Sequence, residues 1–488
     1  MYRIACPSCG ADVEFKSEAS AMAVCAYCQS TLLRDADSVR DIGKMAALLN
    51  DYSPLQITSC GQYLGRGFNV VGRIQLRYDA GLWNEWYLLF DDGGDGWLSE
   101  SVGQYTLTLA GGAVQEAGGF DSQLPGAPFR HGDADFVISD VRTAECTAGE
   151  GELPFQVGAG WQAKVVDARR QAQFLTLDYS DDPQHPQLFL GNAVTLPQLR
   201  MERLRDTRMI EEATGKLKGS VASLECPSCA APLSYRAGTA TQLVCGHCHA
   251  QVDASGDRAV ALGAAQQQLD TPLTLELGKT ATIDKLPWTL TGALVWAEAE
   301  DPDSRWCEYL LYNVDKGFRW LVESGDGWFI GELMDVWVDS LRADYAMLGN
   351  KAYQRAYPDY AARVVYAAGA FPWRAKLGDQ VQLSEYQISG GQKRLSRELS
   401  AQELTWSCSS LATSVEVGRW FGSATPIEPG FSAAEDDGGD LKAIAVKFGL
   451  VLLLINLPLA FLSQDIGDGL LICFFACCVL AIPLKQKE

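Results

Sequence analysis

The chain has little basic charge and few of the residues that common catalytic motifs require. Its 488 residues include 40 lysines and arginines against 61 aspartates and glutamates, a formal net charge of −21, and four histidines. A strongly acidic chain does not attract a phosphate backbone, so nucleic acid is disfavoured as a partner. The sequence also contains no P-loop, no Ser/His/Asp order and no G-x-G-x-x-G after a strand. These absences favour a non-enzymatic protein, although they leave an enzyme open.

The amino terminus lacks the apolar core of a signal peptide, since Met1 to Cys6 reads Met-Tyr-Arg-Ile-Ala-Cys. We therefore expect the folded part of the chain in the cytoplasm. Thiols stay reduced in that compartment, and paired cysteines there bind metals rather than form disulfides. Eight of the fifteen cysteines fall in two short segments of identical spacing.

Each segment reads C-x2-C, fifteen residues, C-x2-C, and the second lies 220 positions after the first. The cysteines are Cys6, Cys9, Cys25 and Cys28, then Cys226, Cys229, Cys245 and Cys248. A tight turn places two sulfurs on one side, and a hairpin brings the second pair to the same ion. The pattern predicts two ribbons that each hold a structural Zn²⁺ ion. Iron in a rubredoxin-like site and a redox-active cysteine pair are the alternatives.

His247 and His249 flank Cys248 and are rival ligands for the second ion. The first segment has Tyr27 and Gln29 at the matching positions. Four cysteines are therefore the better ligand set in both segments.

The repeat extends beyond the cysteines into strand-like sequence. Trp83-x-Glu85 recurs as Trp306-x-Glu308 at an offset of 223. Residues 68–78 and 83–90 are rich in apolar residues and alternate with period two, which is typical of half-buried strands. Long amphipathic helices do not alternate with these strands. The sequence therefore predicts a mainly β fold with antiparallel modules that resemble a barrel or a sandwich, rather than a parallel sheet.

The chain is thus predicted to contain two tandem copies of a ribbon and a β-module. The boundaries are 1–34 for the first ribbon, 51–200 for the first β-module, 201–220 for a charged, helix-prone linker, 221–252 for the second ribbon and 270–425 for the second β-module. Short helical connectors are expected at 38–50 and 258–269, between each ribbon and its module.

The composition changes sharply near the carboxyl terminus. An acidic, glycine-rich spacer at 430–440 precedes two uncharged apolar runs, 448–462 and 470–484. Extended over 441–485, these runs predict a two-helix transmembrane hairpin. Lysines at both ends, Lys442, Lys447, Lys485 and Lys487, predict that both ends face the cytoplasm. A buried core hairpin and a re-entrant hairpin are the alternatives.

Two recurring glutamates are candidates for a ligand pocket or for acid–base chemistry. Alternation places Glu85 and Glu308 on strand faces with aromatic side chains, where burial would raise the pKa of a carboxyl group. Glu100 and Glu323 lie 15 residues further along and are candidate partners. The candidate pocket residues are Glu85, Glu100, Trp306, Glu308, Trp320 and Glu323. Since a residue that recurs in a duplicated domain is first explained by the fold, a buried, hydrogen-bonded glutamate is the leading interpretation.

The chain resembles a bacterial family known as domain of unknown function 4178. The resemblance rests on the Cys-Pro-x-Cys ribbons and on Trp306-x-Glu308-Tyr309-x-Leu311-Tyr312, Trp320-Leu321-x-Glu323 and Gly369-x-Phe371-Pro372-Trp373. It covers most of residues 1–425 in two copies. The first copy departs from this pattern with Trp86 and Phe155 in place of Tyr309 and Trp373, so we expect its β-module to have lost or changed a shared role. The family has no assigned activity, and the resemblance implies only a place in a multi-protein membrane system.

Three functions follow from these observations. The leading hypothesis is an adaptor at the cytoplasmic membrane, tethered through 441–485, whose ribbons and β-modules face the cytoplasm and bind other proteins of a membrane-associated system. The alternative is a small-ligand sensor or an enzyme that uses Glu308, Glu323 and nearby aromatic residues. Nucleic-acid binding through the nearly neutral ribbons is the least favoured. The oligomeric state stays open, and a homo-oligomer is one outcome.

Overall fold

The computed structural model describes residues 2–431, except 18, 36–37, 46–51, 79–80, 115–116, 159, 215–217, 219, 238–241, 255–259 and 264–271. The described residues form 32 strands, two short α-helices and one 3₁₀ turn at Phe120–Ser122. The predicted mainly β class is confirmed. None of the helices in this part of the chain is long and apolar enough to cross a membrane. The hairpin predicted at 441–485 lies outside the described residues.

The first copy contains fifteen strands. In chain order they are β1 (Tyr2–Ala5), β2 (Asp12–Phe15), β3 (Met22–Val24), β4 (Ser30–Asp35), β5 (Ser38–Lys44), β6 (Cys60–Tyr63), β7 (Arg66–Tyr78), β8 (Gly81–Phe90), β9 (Asp95–Ser101), β10 (Gln104–Ala113), β11 (Pro128–His131), β12 (Ala134–Leu153), β13 (Gln162–Arg170), β14 (Gln173–Asp178) and β15 (Gln187–Val194).

The helix α1 (Thr207–Thr214) lies in the predicted linker and precedes the second copy. The strands of that copy are β16 (Val221–Glu225), β17 (Pro232–Arg236), β18 (Gln242–Val244), β19 (Gln251–Asp253), β20 (Val260–Gly263), β21 (Thr280–Ile283), β22 (Leu286–Glu298), β23 (Arg305–Asn313), β24 (Gly317–Ser324), β25 (Gly327–Leu333), β26 (Ser340–Leu341), β27 (Tyr345–Leu348), β28 (Lys351–Arg355), β29 (Tyr360–Phe371), β30 (Gln380–Ile388), β31 (Lys393–Leu399) and β32 (Leu404–Ala412). The helix α2 (Ser414–Trp420) follows them.

In each copy, eight antiparallel strands close into a barrel. The order is β7-β8-β9-β10-β15-β14-β13-β12 in the first barrel, where β12 pairs back with β7. The order is β22-β23-β24-β25-β32-β31-β30-β29 in the second, where β29 pairs with both β30 and β22. Closure removes the exposed edges that an open sheet would present. Both modules are therefore barrels, one of the two forms that the sequence predicts.

Glycine is required where each barrel closes. Gly151 of β12 has a φ of +70° and Gly369 of β29 has a φ of +95°, a conformation that L side chains rarely adopt. A Cβ atom on Gly151 would lie 2.2 Å from the carbonyl oxygen of Val71, and one on Gly369 would lie 2.3 Å from that of Thr291. Both the backbone angle and the close approach exclude a side chain at these two equivalent positions.

Each ribbon is joined to its barrel by main-chain pairing at the same place. The strand β3 pairs with the end of β12, with Met22 opposite Leu153. The strand β18 pairs with the end of β29, with Gln242 opposite Phe371. In the first copy the buried carboxylate of Glu152 also accepts the backbone N–H of Lys16 at 2.7 Å. Each ribbon therefore extends the sheet of its barrel.

The predicted helical connectors are wrong over the residues that the structure describes. Within 38–50, the strand β5 stands in place of a helix. It pairs with β4, with Val39 opposite Arg34. Within 258–269, β20 pairs with β19, with Ala261 opposite Val252. Each connector follows a ribbon strand, β4 or β19, that is paired on one side only, and pairing with its open edge outweighs a weak helix propensity.

The two copies contact each other through turns of the second copy. The guanidinium of Arg142 on β12 donates to the carboxylate of Glu403, in the turn between β31 and β32, at 2.6 Å. The N–H of Val141 donates to the carbonyl oxygen of Gln402 at 3.0 Å. The N–H of Trp337 donates to the carbonyl oxygen of Gln171, between β13 and β14, at 3.1 Å. The first barrel is thus in direct contact with the second copy.

Candidate metal centres and barrel interiors

The four cysteines of each ribbon converge on one point. Within each set, the Sγ atoms all lie within 4.8 Å of one another. The Sγ atoms of Cys6 and Cys28 are 3.7 Å apart, and those of Cys229 and Cys245 are 3.8 Å apart. A tetrahedral ion with metal–sulfur bonds of about 2.3 Å requires sulfur–sulfur distances of about 3.8 Å. All eight thiols are free of disulfides, so each set is arranged to hold a metal ion.

The turns that carry the cysteines share one backbone conformation. The residue four positions after the first cysteine of each pair has a positive φ: Gly10 at 77°, Gln29 at 59°, Ala230 at 59° and His249 at 58°. The N–H of His249 donates to the carbonyl oxygen of Cys245 at 2.8 Å and closes the turn. Among the described residues, the groups that could hold a metal contain only cysteines. His247 and His249 therefore stand outside the ligand set.

The predicted pocket residues separate onto two faces of the barrel strands. Glu85 lies opposite Ser99 on the neighbouring strand, and Glu308 lies opposite Val322. Because side chains alternate along a strand, Glu100 and Glu323 point to the opposite face. The structure therefore does not bring them together with Glu85 and Glu308.

Glu100 and Glu323 are hydrogen-bonded structural residues on the outer face of the barrels. Glu100 accepts a hydrogen bond from the hydroxyl of Ser53 at 2.6 Å and from the indole N–H of Trp86 at 2.9 Å. Glu323 is fully buried and accepts from the hydroxyl of Tyr309 at 2.9 Å. Trp86 and Tyr309 occupy matching positions, so the substitution that distinguishes the first copy preserves a donor to the same carboxylate.

Glu85 and Glu308 face the inside of their barrels. Glu308 on β23 is repelled by Glu398 on β31, four strands away around an eight-stranded ring. Glu85 on β8 is repelled by Asp178 on β14, also four strands away. Side chains on opposite walls of a barrel interact in this way only across its interior. Both glutamates keep some accessible surface although protein surrounds them closely.

The carboxylate of Glu85 is bonded at both oxygens. The indole N–H of Trp83 donates to one oxygen at 2.8 Å, and the hydroxyl of Ser99 donates to the other at 2.7 Å. Burial, together with weaker repulsion from Asp167 and Asp178, raises the pKa of Glu85 to about 7 against the effect of these two hydrogen bonds. The group is therefore held in place while its charge is disfavoured.

Glu308 has fewer donors. The indole N–H of Trp306 donates to its carboxylate at 3.0 Å, but Val322 stands where Ser99 stands in the first barrel and cannot donate. Burial raises the pKa of Glu308 to about 6, and the nearby indole N–H groups of Trp306 and Trp296 oppose this rise. The N–H of Trp296 lies near the carboxylate without forming a hydrogen bond to it.

Two further carboxylates complete the same arrangement in both interiors. Asp167 lies opposite Thr176, whose hydroxyl donates to it at 2.6 Å. Glu385 lies opposite Ser396, whose hydroxyl donates to it at 3.4 Å. Asp178 lies two residues after Thr176 on the same strand, opposite Val165. Glu398 lies two residues after Ser396, opposite Leu383. We call each set an interior carboxylate trio: Glu85, Asp167 and Asp178 in the first barrel, and Glu308, Glu385 and Glu398 in the second.

The remaining trio members also have displaced pKa values. Burial raises the pKa of Asp167, Asp178 and Glu385. Burial, followed by repulsion from Glu308 and other glutamates, raises the pKa of Glu398 to about 8. Loss of hydration is the largest cause in each case, and repulsion between members of one trio adds to it at Glu85, Glu308 and Glu398.

Sequence comparison of the copies does not reveal the trios. Glu85 and Glu308 are 223 residues apart, whereas Asp167 and Glu385 are 218 apart and Asp178 and Glu398 are 220 apart. The changing offset and the exchange of aspartate for glutamate hide the match. The available signal was an acidic residue inside an apolar strand, as in Val165-Val166-Asp167-Ala168.

Aromatic side chains line the second interior. The ring of Trp306 stacks on that of Trp296 at 6.3 Å and meets the ring of Tyr360 edge-on at 6.0 Å. Trp320, on the inner face of β24, contacts Trp373 at 5.4 Å. The predicted residues Trp306, Glu308 and Trp320 therefore share one enclosed space.

Residues 56–196 and 276–414 match the family model described as "Domain of unknown function (DUF4178)". These two stretches contain the barrels and not the ribbons. No curated protein matches the chain. Among solved structures, the "Crystal structure of a GH43_12 retrieved from capybara gut metagenome" aligns at 9% identity over 83% of this chain and 77% of that chain, with a TM-score of 0.10. Because the family model matches more than half of the 488 residues, the chain belongs to the DUF4178 family and contains its domain twice.

Proposed function

We propose that this chain is a zinc-stabilised protein that binds a small ligand inside its second barrel. The observation that carries the proposal is the interior trio Glu308, Glu385 and Glu398, which lies beside Trp306 in an enclosed space. An eight-stranded barrel can either fill its interior with side chains or hold one small ligand there. Aromatic walls with a few converging polar groups are typical of such sites.

The trio is poorly explained by stability alone. Burying carboxylates near one another costs free energy, because each loses hydration and repels the others. Apolar side chains would fill the same space at a lower free energy. A buried feature that lowers stability supports a binding role.

The experiment is a small-molecule screen on the full chain, read by melting temperature and tryptophan fluorescence. We expect at least one compound to raise the melting temperature of the wild type and to lose this effect in Glu308→Gln. Recovery of the compound unchanged would support binding, whereas its conversion would make the protein an enzyme. Stabilising compounds whose effect survives Glu308→Gln and Trp306→Phe alike would rule out the second interior as the site.

Zinc is the metal that best suits the ribbons. Four thiolates at tetrahedral spacing match structural zinc sites, and iron is the competing ion for the same ligands. We expect two zinc ions per chain by elemental analysis of protein expressed in medium that contains both metals. A visible absorption band from iron–thiolate bonds in place of zinc would contradict this assignment.

An adaptor role is the second candidate, and the exposed tip of the first ribbon favours it. The side chain of Tyr27, between Cys25 and Cys28, is 80% exposed. In this proposal the ribbons bind other proteins of a membrane-associated system, and residues 441–485 tether the chain to the cytoplasmic face of the membrane. Purification from detergent-solubilised membranes tests it. A defined set of proteins should accompany the wild type and be lost from Tyr27→Ala at unchanged zinc content, and an unchanged set would contradict the role of the tip.

A further inference from the structure

The first barrel contains a cation of its own beside its carboxylates. The guanidinium of Arg142 lies over the ring of Tyr78 at 4.1 Å and donates to Asp140 at 2.6 Å. Its positive charge lowers the pKa of Asp167, a member of the first trio, against the effect of burial. An arginine on an aromatic face among carboxylates is a favourable arrangement for a buried cation.

The second barrel has no cation at the matching position. Arg142 lies opposite Val165 in the first barrel, and Tyr360 lies opposite Leu383 in the second. Register therefore places Tyr360 where the first barrel has Arg142. The second trio does have Arg394, whose guanidinium reaches Glu385 at 3.5 Å and Asp326 at 2.7 Å. The guanidinium of Arg394 therefore binds Glu385 and Asp326, and it forms no ion pair with Glu398.

Glu398 is the trio member that most clearly needs a partner. Among the described residues, none donates a hydrogen bond to its carboxylate or forms an ion pair with it. Glu308, Glu403 and Glu385 all repel it. A carboxylate that is enclosed, repelled and without a donor is stabilised when a cation lies beside it.

The second barrel also has an indole that the first lacks. Trp296 lies opposite Trp306, whereas Leu76 lies opposite Trp83 in the first barrel. The side chain of Trp296 is 7% exposed, and its N–H group has no hydrogen-bond partner although it lies near the carboxylate of Glu308. A buried indole N–H normally has an acceptor, so an oxygen of a ligand beside Glu308 would give this group one at hydrogen-bond distance.

The spacing of the trio disfavours a metal ion. Within the described residues, the groups of three or more ligands close enough to share an ion are the two cysteine sets. The oxygens of Glu308, Glu385 and Glu398 are therefore too far apart to coordinate one metal together. A larger cation with an apolar body suits separated carboxylates and stacked indole rings.

We propose that the interior of the second barrel binds a small organic ammonium ion that also has an oxygen acceptor. The ammonium group lies between Glu308 and Glu398, the hydrocarbon part lies against Trp296 and Trp306, and the oxygen accepts the N–H of Trp296. The inference rests on the proposed function, because it names the chemical class of the ligand for the same site.

Four probes of similar size separate charge from shape. They are 4-aminobutan-1-ol, butylammonium, butane-1,4-diol and 4-hydroxybutyrate, each titrated into the full zinc-loaded chain by calorimetry. We expect 4-aminobutan-1-ol to bind most tightly, butylammonium more weakly because it has no acceptor, and the uncharged and anionic probes not measurably. Equal or tighter binding of the diol or of 4-hydroxybutyrate would overturn the proposal.

Substitutions in the second barrel test where the bound ammonium group lies. Glu308→Gln and Glu398→Gln should each weaken the binding of 4-aminobutan-1-ol on the order of tenfold or more, because each removes a buried charge from the site. Tyr360→Arg should abolish binding, since it gives the second barrel the cation that the first already has. Trp296→Leu restores the residue of the first barrel and should make 4-aminobutan-1-ol bind no better than butylammonium. Zinc content and circular dichroism verify that each variant is folded.

The matched control is Glu85→Gln in the first barrel, which should leave the affinity for 4-aminobutan-1-ol unchanged. An equal loss in Glu85→Gln and Glu308→Gln would show that the second barrel is not selective and would overturn the proposal. If a neutral probe binds and is lost in Glu308→Gln, the ligand class is wrong but the interior site stands. If no probe responds to Glu308→Gln while a probe binds elsewhere, both the class and the site are wrong.

The pH dependence gives a second readout. Affinity for 4-aminobutan-1-ol should rise at least tenfold from pH 5.5 to pH 8.5, because Glu308 and Glu398 lose their protons in this interval while the ammonium stays charged. The charged groups that face them are Glu385, Arg394 and Glu403. An affinity that does not change with pH would contradict a site built from these two carboxylates.

Discussion

The two barrels of this chain have carboxylates at matching positions but different surroundings. In the first, Glu85 receives two hydrogen bonds, and Arg142 lies in the same interior. In the second, Val322 removes one of the donors, and Tyr360 takes the place of the arginine. The polar groups of the first interior therefore largely satisfy one another. Within the described residues, the second interior contains a carboxylate without a donor, Glu398, and an indole N–H without a hydrogen-bond partner, that of Trp296.

This difference shows how a duplicated domain can divide its roles. A copy that supplies its own cation gains stability but excludes a cationic ligand from the same space. The second copy keeps the carboxylates, has Tyr360 in place of Arg142 and leaves Glu398 without a cation among the described residues. It is the copy that we propose binds one. Contact between Arg142 and Glu403 joins the two copies in one folded unit.

The largest expected effect comes from the metal-binding ribbon, which both copies contain. Cys226→Ser should reduce the zinc content from two ions to one and destabilise the second ribbon by several kcal/mol, because metal binding supplies much of the folding free energy of such small units. Since β18 pairs with β29, we also expect faster proteolysis of the second barrel. Elemental analysis and limited proteolysis measure both. Cys60→Ser, outside the two sets, is the control, and retention of two zinc ions in Cys226→Ser would refute the assignment.

The glycines that close the barrels should be equally sensitive in both copies. Gly151→Ala and Gly369→Ala would each place a Cβ atom against a backbone carbonyl at a positive φ. We expect each to lower the free energy of unfolding by about 3 kcal/mol or more, since both strain and overlap contribute. Gly103→Ala has a positive φ but nothing within 4 Å, and it should cost only about 1 kcal/mol. Chemical denaturation tests this order, and equal losses at all three positions would contradict a role for the close contact.

The second trio should make stability depend on pH. The pKa of Glu398 is raised to about 8 from an ordinary value of 4.5, so the folded state holds a proton that the unfolded state releases. Its stabilising effect is complete below pH 4.5 and is lost as the pH rises through 8. Glu398→Gln should therefore be more stable than the wild type at pH 8.5 by about 1–3 kcal/mol, allowing for residual solvent access. The two proteins should be nearly equal at pH 5.

Denaturation at both pH values, with zinc in excess, measures the difference. Glu332→Gln is the control, because the side chain of Glu332 is 62% exposed. A stabilisation that is the same at pH 5 and pH 8.5 would mean that the proton on Glu398 is not its cause.

Local sequence predicts those parts of the molecule that depend on local spacing. The cysteine sets follow from C-x2-C turns, and the strands around Glu85 and Glu308 follow from alternation. The structure of the connectors does not follow from local sequence. The strand β5 forms because the edge of β4 is available for pairing, and local propensity does not decide this.

The interior trios depend on contacts that local sequence does not contain. Asp178 and Glu85 meet across a closed barrel, far apart in the chain. Glu100 seemed a partner of Glu85 because it lies nearby in sequence, yet strand register places it on the other face. The order of the strands around the closed barrel decides which carboxylates share its interior, and this order cannot be read from local sequence patterns.

The smallest expected effect would come from exchanging one donor between the barrels. Ser99 donates to Glu85, and Val322 occupies the matching position beside Glu308. Ser99→Val should raise the pKa of Glu85 above about 7, and Val322→Ser should lower that of Glu308 below about 6, because a hydrogen bond to a carboxylate favours its charged form. Each change should alter stability by only about 1 kcal/mol. Carboxyl titration by NMR would measure both shifts. Shifts of the same sign in the two variants would show that burial alone, and not the missing donor, separates the two barrels.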